Sequence, residues 1–522
     1  MPKFKTLIAA LAASVLCISA NAETLKWGAA RDIGSMDPYS YGDSFAINVL
    51  NNVYEGLVRY NKKLQIEPAL AVSWELVSDK TWRFKLRHDV FFHNGDPFTA
   101  DDVIASLDRV SDKSSPLKGN LPAYKSSAKV DDYTVDITLI GTYPLLLNDL
   151  TNILIFDKKW LVEHHSEKPT DLGAKVEGYT TYHTNGTGPF MLESRQPDAK
   201  TVFVKNPKWW DTPQHSTNID RIEFIPITSA ATRVAALLAG EIDFTEDAPV
   251  QDLPRLKASP NVKLLERTDL RTIMFGINRR ATLADGSPNP FNNIKVRQAL
   301  QQSINLQLLR DRVMRGKSRI AGTLVAPEIP GYSKALDVPA KFDPDGAKKL
   351  LAEAGFDKKP IEFDFNCFAN SYVNEEQICQ AVASMWSRVG FKPKLDIGPR
   401  AVQLPKRTGG KTDVFTFGWA NEPMLDAYSI LIQALHTKNG NDGVFNWGGW
   451  SYPALDKLIE QAGTEMNRDK RLALETEALK FSKDEVIFIP LHQQPMAWAV
   501  SAKFKDFPQF ADNKPRLWFV KK

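Results

Sequence analysis

Between Asp343 and Ile397 the apolar residues switch repeatedly between helical and strand spacing. That switching restricts the fold more than any other feature of the chain. Asp343-Pro344 reads as a helix cap followed by a first-turn proline. Ala347, Leu350, Leu351 and Ala354 then recur at i, i+3, i+4 and i+7, and Gly355 ends the run. Ile361 to Phe365 is strand-like. Asn374 opens a second helix with Ile378, Val382, Met385, Trp386 and Val389 on one stripe, Gly390 closes it, and Lys392 to Ile397 is strand-like again. Helices that lead into strands in this rhythm predict an α/β layer, with Met385 and Trp386 in its core.

Upstream, the strand-like pieces Thr24 to Ala29, Trp82 to Leu86 and Thr134 to Leu139 alternate with loops. Thr99 and Asp102 form a helix-capping pair ahead of Val103, Ile104 and Leu107. No internal repeat or low-complexity tract interrupts the pattern. The chain has 522 residues. Single cores stop growing beyond about 250–300 residues, so at least two lobes are expected.

The first 22 residues have the order of a secretory signal. Lys3 and Lys5 make a positive start, Leu7 to Ile18 is apolar, and Ala20-Asn21-Ala22 is a small-x-small cleavage pattern. The apolar stretch is far short of the roughly 20 residues that span a bilayer. Leu16 stands before Cys17 where a lipidation site needs a small residue. A chain starting near Glu23 and soluble outside the cytoplasm is expected. Without Lys3 and Lys5 the formal charge falls from +4 to +2, which gives no case for nucleic acid or an anionic membrane surface. Cys367 and Cys379 remain. An oxidising compartment permits a disulfide, and spacing alone leaves open whether these two meet.

Enzymatic signatures are missing or broken. Gly410-Lys411-Thr412 resembles the end of a phosphate-binding loop, but Pro405 occupies the place of its first glycine. Gly186-Thr187-Gly188 is followed by Met191 rather than a third glycine. His164-His165 has no H-E-x-x-H around it, and no G-x-S-x-G elbow exists. No catalytic residue, metal site or cofactor is expected.

A series of short elements then appears in one order. They are Tyr54-Glu55-Gly56-Leu57; Pro68-Ala69-Leu70-Ala71 with Ser73-Trp74; Thr81 to Leu86 and Asp89 to Phe92 with Asn94 through Val103; Gly186-Thr187-Gly188-Pro189-Phe190; Asn206-Pro207 with Trp209-Trp210; Gly240-Glu241-Ile242-Asp243; and Val296-Arg297-Gln298-Ala299-Leu300. In this order the chain resembles the extracellular solute-binding proteins of the dipeptide, oligopeptide and nickel type (family 5), which serve ABC transporters. The resemblance covers almost all of the chain after residue 22. It implies a two-lobed α/β fold of the type II periplasmic-binding-protein kind, with the ligand cleft between the lobes. Lobe I would hold residues 23–275 and 492–522, with an inserted subdomain at about 66–185, and lobe II residues 276–491. It further implies a periplasmic, monomeric receptor that traps a short peptide by hinge closure and passes it to inner-membrane permease subunits. An opine, an oligosaccharide, haem or chelated nickel remains open as the solute, and a secreted hydrolase is the rival from another class.

The informative segment is Gly418-Trp419-Ala420-Asn421-Glu422-Pro423-Met424-Leu425-Asp426. In peptide-binding members, an acid three residues after the tryptophan holds the ligand's amino terminus. Here that acid is Glu422 in place of the usual aspartate. Asp426 is a second candidate, Asn421 lies beside them, and Trp419 walls the pocket or packs as core. A solvated loop is the plain alternative for Glu422. Ser35 and Met36 match an N-terminal loop that borders the ligand. Phe275 and Asn278 lie where the chain should cross between lobes. Arg400, after a strand, would either meet a ligand carboxylate or stand exposed.

Overall fold

A computed structural model describes residues 23–40, 44–170, 176–215, 217–369 and 371–522. The expected secretory leader lies outside them. The expected strand–helix–strand rhythm is present. Asp343 caps helix Pro344–Glu353 by accepting from the Gly346 amide at 2.8 Å. Helix Glu375–Ser387 lies between the parallel strands Ile361–Phe368 and Phe391–Gly398. Trp386 is fully buried, and its indole donates to the Leu300 carbonyl at 3.0 Å. Cys367, in the first of these strands, is disulfide-bonded to Cys379 in the helix.

Among the described residues the strands form one 11-stranded sheet, a four-stranded sheet and a hairpin. The large sheet is two parallel groups joined by two long antiparallel strands. Thr24–Ala29 pairs in parallel with Arg221–Pro226 and Phe244–Thr245 on one side. Ile361–Phe368 pairs in parallel with Val414–Trp419 on the other. Val262–Ile277 and Phe488–Ser501 run between the groups, side by side. The sequence pattern shows only the Ile487–Leu491 part of the second strand. Its continuation is buried on both faces, so the alternation that marks a half-exposed strand is absent.

The register of these two strands shifts twice near the middle, between Thr268 and Thr272 and again between Ile273 and Met274, and the first shift is the larger. Thr268 faces Pro495 and Thr272 faces Gln493, so Asp269, Leu270 and Arg271 stand against Gln494 alone. Such a bulge bends a strand locally. Beyond it, one apolar cluster is drawn only from residues 273–491. A larger cluster links the N-terminal body to residues of the 415–488 region, so the two bodies are packed against each other.

The four-stranded antiparallel sheet Ala71–Ser78, Thr81–Leu86, Thr134–Leu139 and Tyr124–Asp131 is separate, lies within the segment expected as an insertion, and is backed by helix Ala100–Ser111. Asp102 accepts from the Thr99 amide at 2.7 Å, as the capping pair requires.

Three motifs that are distant in sequence meet at one side chain. The Glu55 carboxylate accepts from the Thr187 hydroxyl (2.9 Å), the Trp209 indole (3.2 Å) and the Trp210 indole (2.9 Å). Gly186 and Gly188 pass so close to Val53 that a Cβ at either would lie 2.1 or 2.6 Å from its carbonyl oxygen. The glycines of this motif are therefore fixed by backbone contact rather than by a turn.

Candidate functional site

Three loops leave the carboxyl ends of parallel strands at the junction of the two bodies, the place where open α/β sheets hold ligands. Arg31 follows Thr24–Ala29, Glu246 and Asp247 follow Phe244–Thr245, and Glu422 follows Val414–Trp419. Asp269 and Arg271 come from the bulge between the bodies, and Lys514 and Asp512 from the C-terminal segment.

Glu422 is half-buried, and no described group donates a hydrogen bond to its carboxylate. Burial pushes its pKa up to about 7. The nearby charges of Lys514 and Arg271 oppose that rise, while Asp512 and Asp269 add to it. Lys514 is itself buried. It donates to Asn152 at 2.6 Å, and desolvation lowers its pKa. Asp512 is held low despite its burial, chiefly by Arg516. Asp247 keeps an exposed side chain, yet the protein around it raises its pKa by desolvation, with Arg233, Asp269 and Arg31 nearby. Glu246 is pushed up to about 8 by burial and by Asp247, and receives the Trp27 indole N–H.

An aromatic wall adjoins these charges. Trp419 stacks on Phe417 with ring centres 5.7 Å apart, meets Phe445 edge-on at 5.2 Å, and donates to Ser429 at 3.1 Å. Asn421 is fully buried at φ 59°, and neither side-chain amide atom has a hydrogen-bond partner among the described residues. A buried amide without a partner costs on the order of 1–3 kcal/mol. The arrangement offers charge of both signs, an apolar wall and an unmet amide. Such a set of groups suits a dipolar solute.

Several expected contacts take other places. Asp426 is spent on structure: Arg471 donates to it at 2.8 Å and the Tyr428 amide at 3.0 Å, and only 1 % of its surface is open. Phe275 packs in the core of the C-terminal body against Phe365 and Trp386. Asn278 is buried beyond the bulge, donating to Asp413 at 3.1 Å. Ser35 and Met36 are sealed in the N-terminal body. The Ser35 hydroxyl accepts from the Asp37 amide, the Met36 amide donates to the Thr181 carbonyl, and Asp37 itself pairs with buried Arg109 at 2.8 Å. Arg400 is exposed at the start of helix Arg400–Thr408, its guanidinium 5.0 Å over the Phe368 ring. Trp419, Asn421 and Glu422 do come together. The charges Arg31, Asp247, Asp269, Arg271 and Lys514 around this junction were not among the sequence candidates.

The fold is that of a two-lobed α/β binding protein. Comparison gives the family. The profile of bacterial extracellular solute-binding proteins, family 5, matches residues 65–442, and the chain belongs to that family. Heme-binding protein A of Haemophilus influenzae is 29% identical over 486 residues, covering 88% of this chain and 84% of that protein. Di/tripeptide-binding protein 3 of Pseudomonas aeruginosa is 26% identical over 487 residues, 86% of each chain. The periplasmic binding protein DppA of Helicobacter pylori, solved with the peptide STSA, superposes with a TM-score of 0.78 at 23% identity, over 95% of this chain and 97% of that one.

Proposed function

We propose that this protein is a periplasmic, monomeric receptor for short peptides with a free amino terminus, which it hands to ABC-transporter permease subunits without chemical change. The observation that carries the reading is Glu422. It is a carboxylate without a hydrogen-bond donor of its own, beside an unmet amide and an indole wall, where two bodies close on each other. A ligand ammonium would supply the missing donor and draw the Glu422 pKa back down. The peptide-binding relatives support the choice of solute. Lobe I is taken as residues 23 to about 270 with the chain after about 494, and the bulge at Asp269–Arg271 as the hinge. That places the crossings a few residues from the 275 and 492 expected from sequence. Closure follows when ligand binds the closed form better than the open one.

Mass spectrometry of solute released from the purified protein tests the reading. Intact short peptides are the expected result. Haem, a nickel chelate or an opine would replace the ligand assignment, and cleaved peptide would replace the receptor.

A further inference from the structure

Asp149 lies in the short helix Leu146–Leu150, on the face of the first lobe that meets the second. It is 1 % exposed, and neither carboxylate oxygen has a hydrogen-bond partner among the described residues. Its neighbour Asn148 donates to the main-chain carbonyl of Met424 at 2.8 Å, as does the Tyr60 hydroxyl at 2.7 Å. The loop that carries Glu422 therefore covers this face.

The groups around Asp149 come from four elements. The Tyr143 hydroxyl, just before the helix, lies beside it without making a well-formed hydrogen bond. Tyr60 faces it from strand Val58–Tyr60. From the second lobe come Asp426 and, at the start of the short helix Tyr428–Ile430, Tyr428. Behind Asp426, on helix Arg468–Asp484, Arg471 is already committed to Asp426 at 2.8 Å and to Glu475 at 3.0 Å. The surroundings of Asp149 are thus phenols and another carboxylate.

We propose that closure of the lobes places a proton on Asp149, which the open state releases, making the joint a proton-linked latch. In the open form water would reach Asp149 and stabilise its charge. In the closed form water would be excluded, and the Tyr143 hydroxyl would be the one donor beside the charge among the described residues. Burial raises the closed-state pKa well above the ordinary value, with Tyr143 opposing and Asp426 adding to the rise. The sign follows. The contribution to closure is complete below the open-state pKa of about 4 and is lost as pH rises through the closed-state value. For one proton, the closed-to-open ratio falls by up to about tenfold per pH unit within that window. The latch requires no particular solute.

Single-molecule energy transfer between dyes on the two lobes of the whole, ligand-free protein reads the closed fraction directly. From pH 5 to pH 8 the closed-to-open ratio of the parent should fall by about tenfold or more. Asp149→Asn keeps the shape without the charge. It should show a shallower fall and a higher closed fraction at pH 8, and Asp149→Ser should share the shallower slope. Glu422 also takes up a proton when buried, so the difference in slope between parent and Asp149 variant is the decisive quantity. A closed fraction constant with pH in the parent overturns the proposal, as does a variant that keeps the parent's slope.

Discussion

Two glutamates, Glu55 and Glu422, are both drawn into the protein, and both have pKa values raised by burial. Glu55 is met by a hydroxyl and two indoles from two separate segments, with Arg59 nearby. Glu422 is met by charges at a distance and by no hydrogen-bond donor of the described chain. Burial alone therefore does not distinguish structure from function. What distinguishes them is whether the protein has already supplied the partners. Glu55 is complete, and Glu422 is complete only with something else present.

The comparison breaks most readily at Glu55. Glu55→Ala would leave two indole N–H groups and a hydroxyl without their acceptor, while Arg59 keeps Glu67 and Asp211. A loss of about 3–5 kcal/mol in a urea melt is expected, with the folded fraction keeping its ligand affinity. An equal loss of affinity would make Glu55 part of the site. Glu422→Gln should do the reverse. Calorimetry with a free-amine tripeptide should show a loss of about 2–5 kcal/mol, roughly 30-fold to several-thousand-fold, with an unchanged or higher melting temperature. Unchanged affinity would remove Glu422 as the anchor.

The disulfide sharpens the same contrast, since it frames the second lobe without reaching the pocket. The double change Cys367→Ser, Cys379→Ser should cost about 3 kcal/mol of stability and leave affinity within a few-fold. A pH series isolates the charge of Glu422. With its pKa at about 7, the free carboxylate is protonated at pH 5 and ionised at pH 8. An ammonium ligand needs the ionised form. The affinity ratio of parent to Glu422→Gln should therefore rise with pH, by up to about tenfold per unit, and level off above 7. A flat ratio would mean that the ligand does not meet the charge. The smallest effect belongs to Arg400→Ala, where an exposed side chain should change binding by no more than about 0.5 kcal/mol.

Much of the second lobe was legible in the sequence because its helices are amphipathic and punctuated. Asp343, Gly355, Asn374 and Gly390 bound them, and the apolar stripes between fall where the structure buries them. The motifs around Glu55 were legible as identifiers but not as a network, since their meeting point depends on tertiary contact. Trp209 and Trp210 of these motifs donate to Glu55. The 419–422 segment was singled out by the family resemblance, and the structure places it after strand Val414–Trp419, as the sequence pattern implied. Asp426 misled because an acid's partner, here Arg471 forty-five residues on, leaves no local trace. Lys514 was invisible for a related reason: only the return of the C-terminal segment brings it to Glu422.

One consequence follows from the three residues that stand against Gln494 in the long-strand pair. Asp269, Leu270 and Arg271 are where the ladder is free to bend, and Asp269 and Arg271 are also the charges flanking Glu422. On the proposed hinge and site, mechanics and recognition would share one tripeptide. No relay would then be needed to report an occupied site to a distant pivot, because the proposed pivot flanks Glu422. Substitutions there should shift selectivity and motion together, and an engineer seeking to retune one without the other would have to work elsewhere.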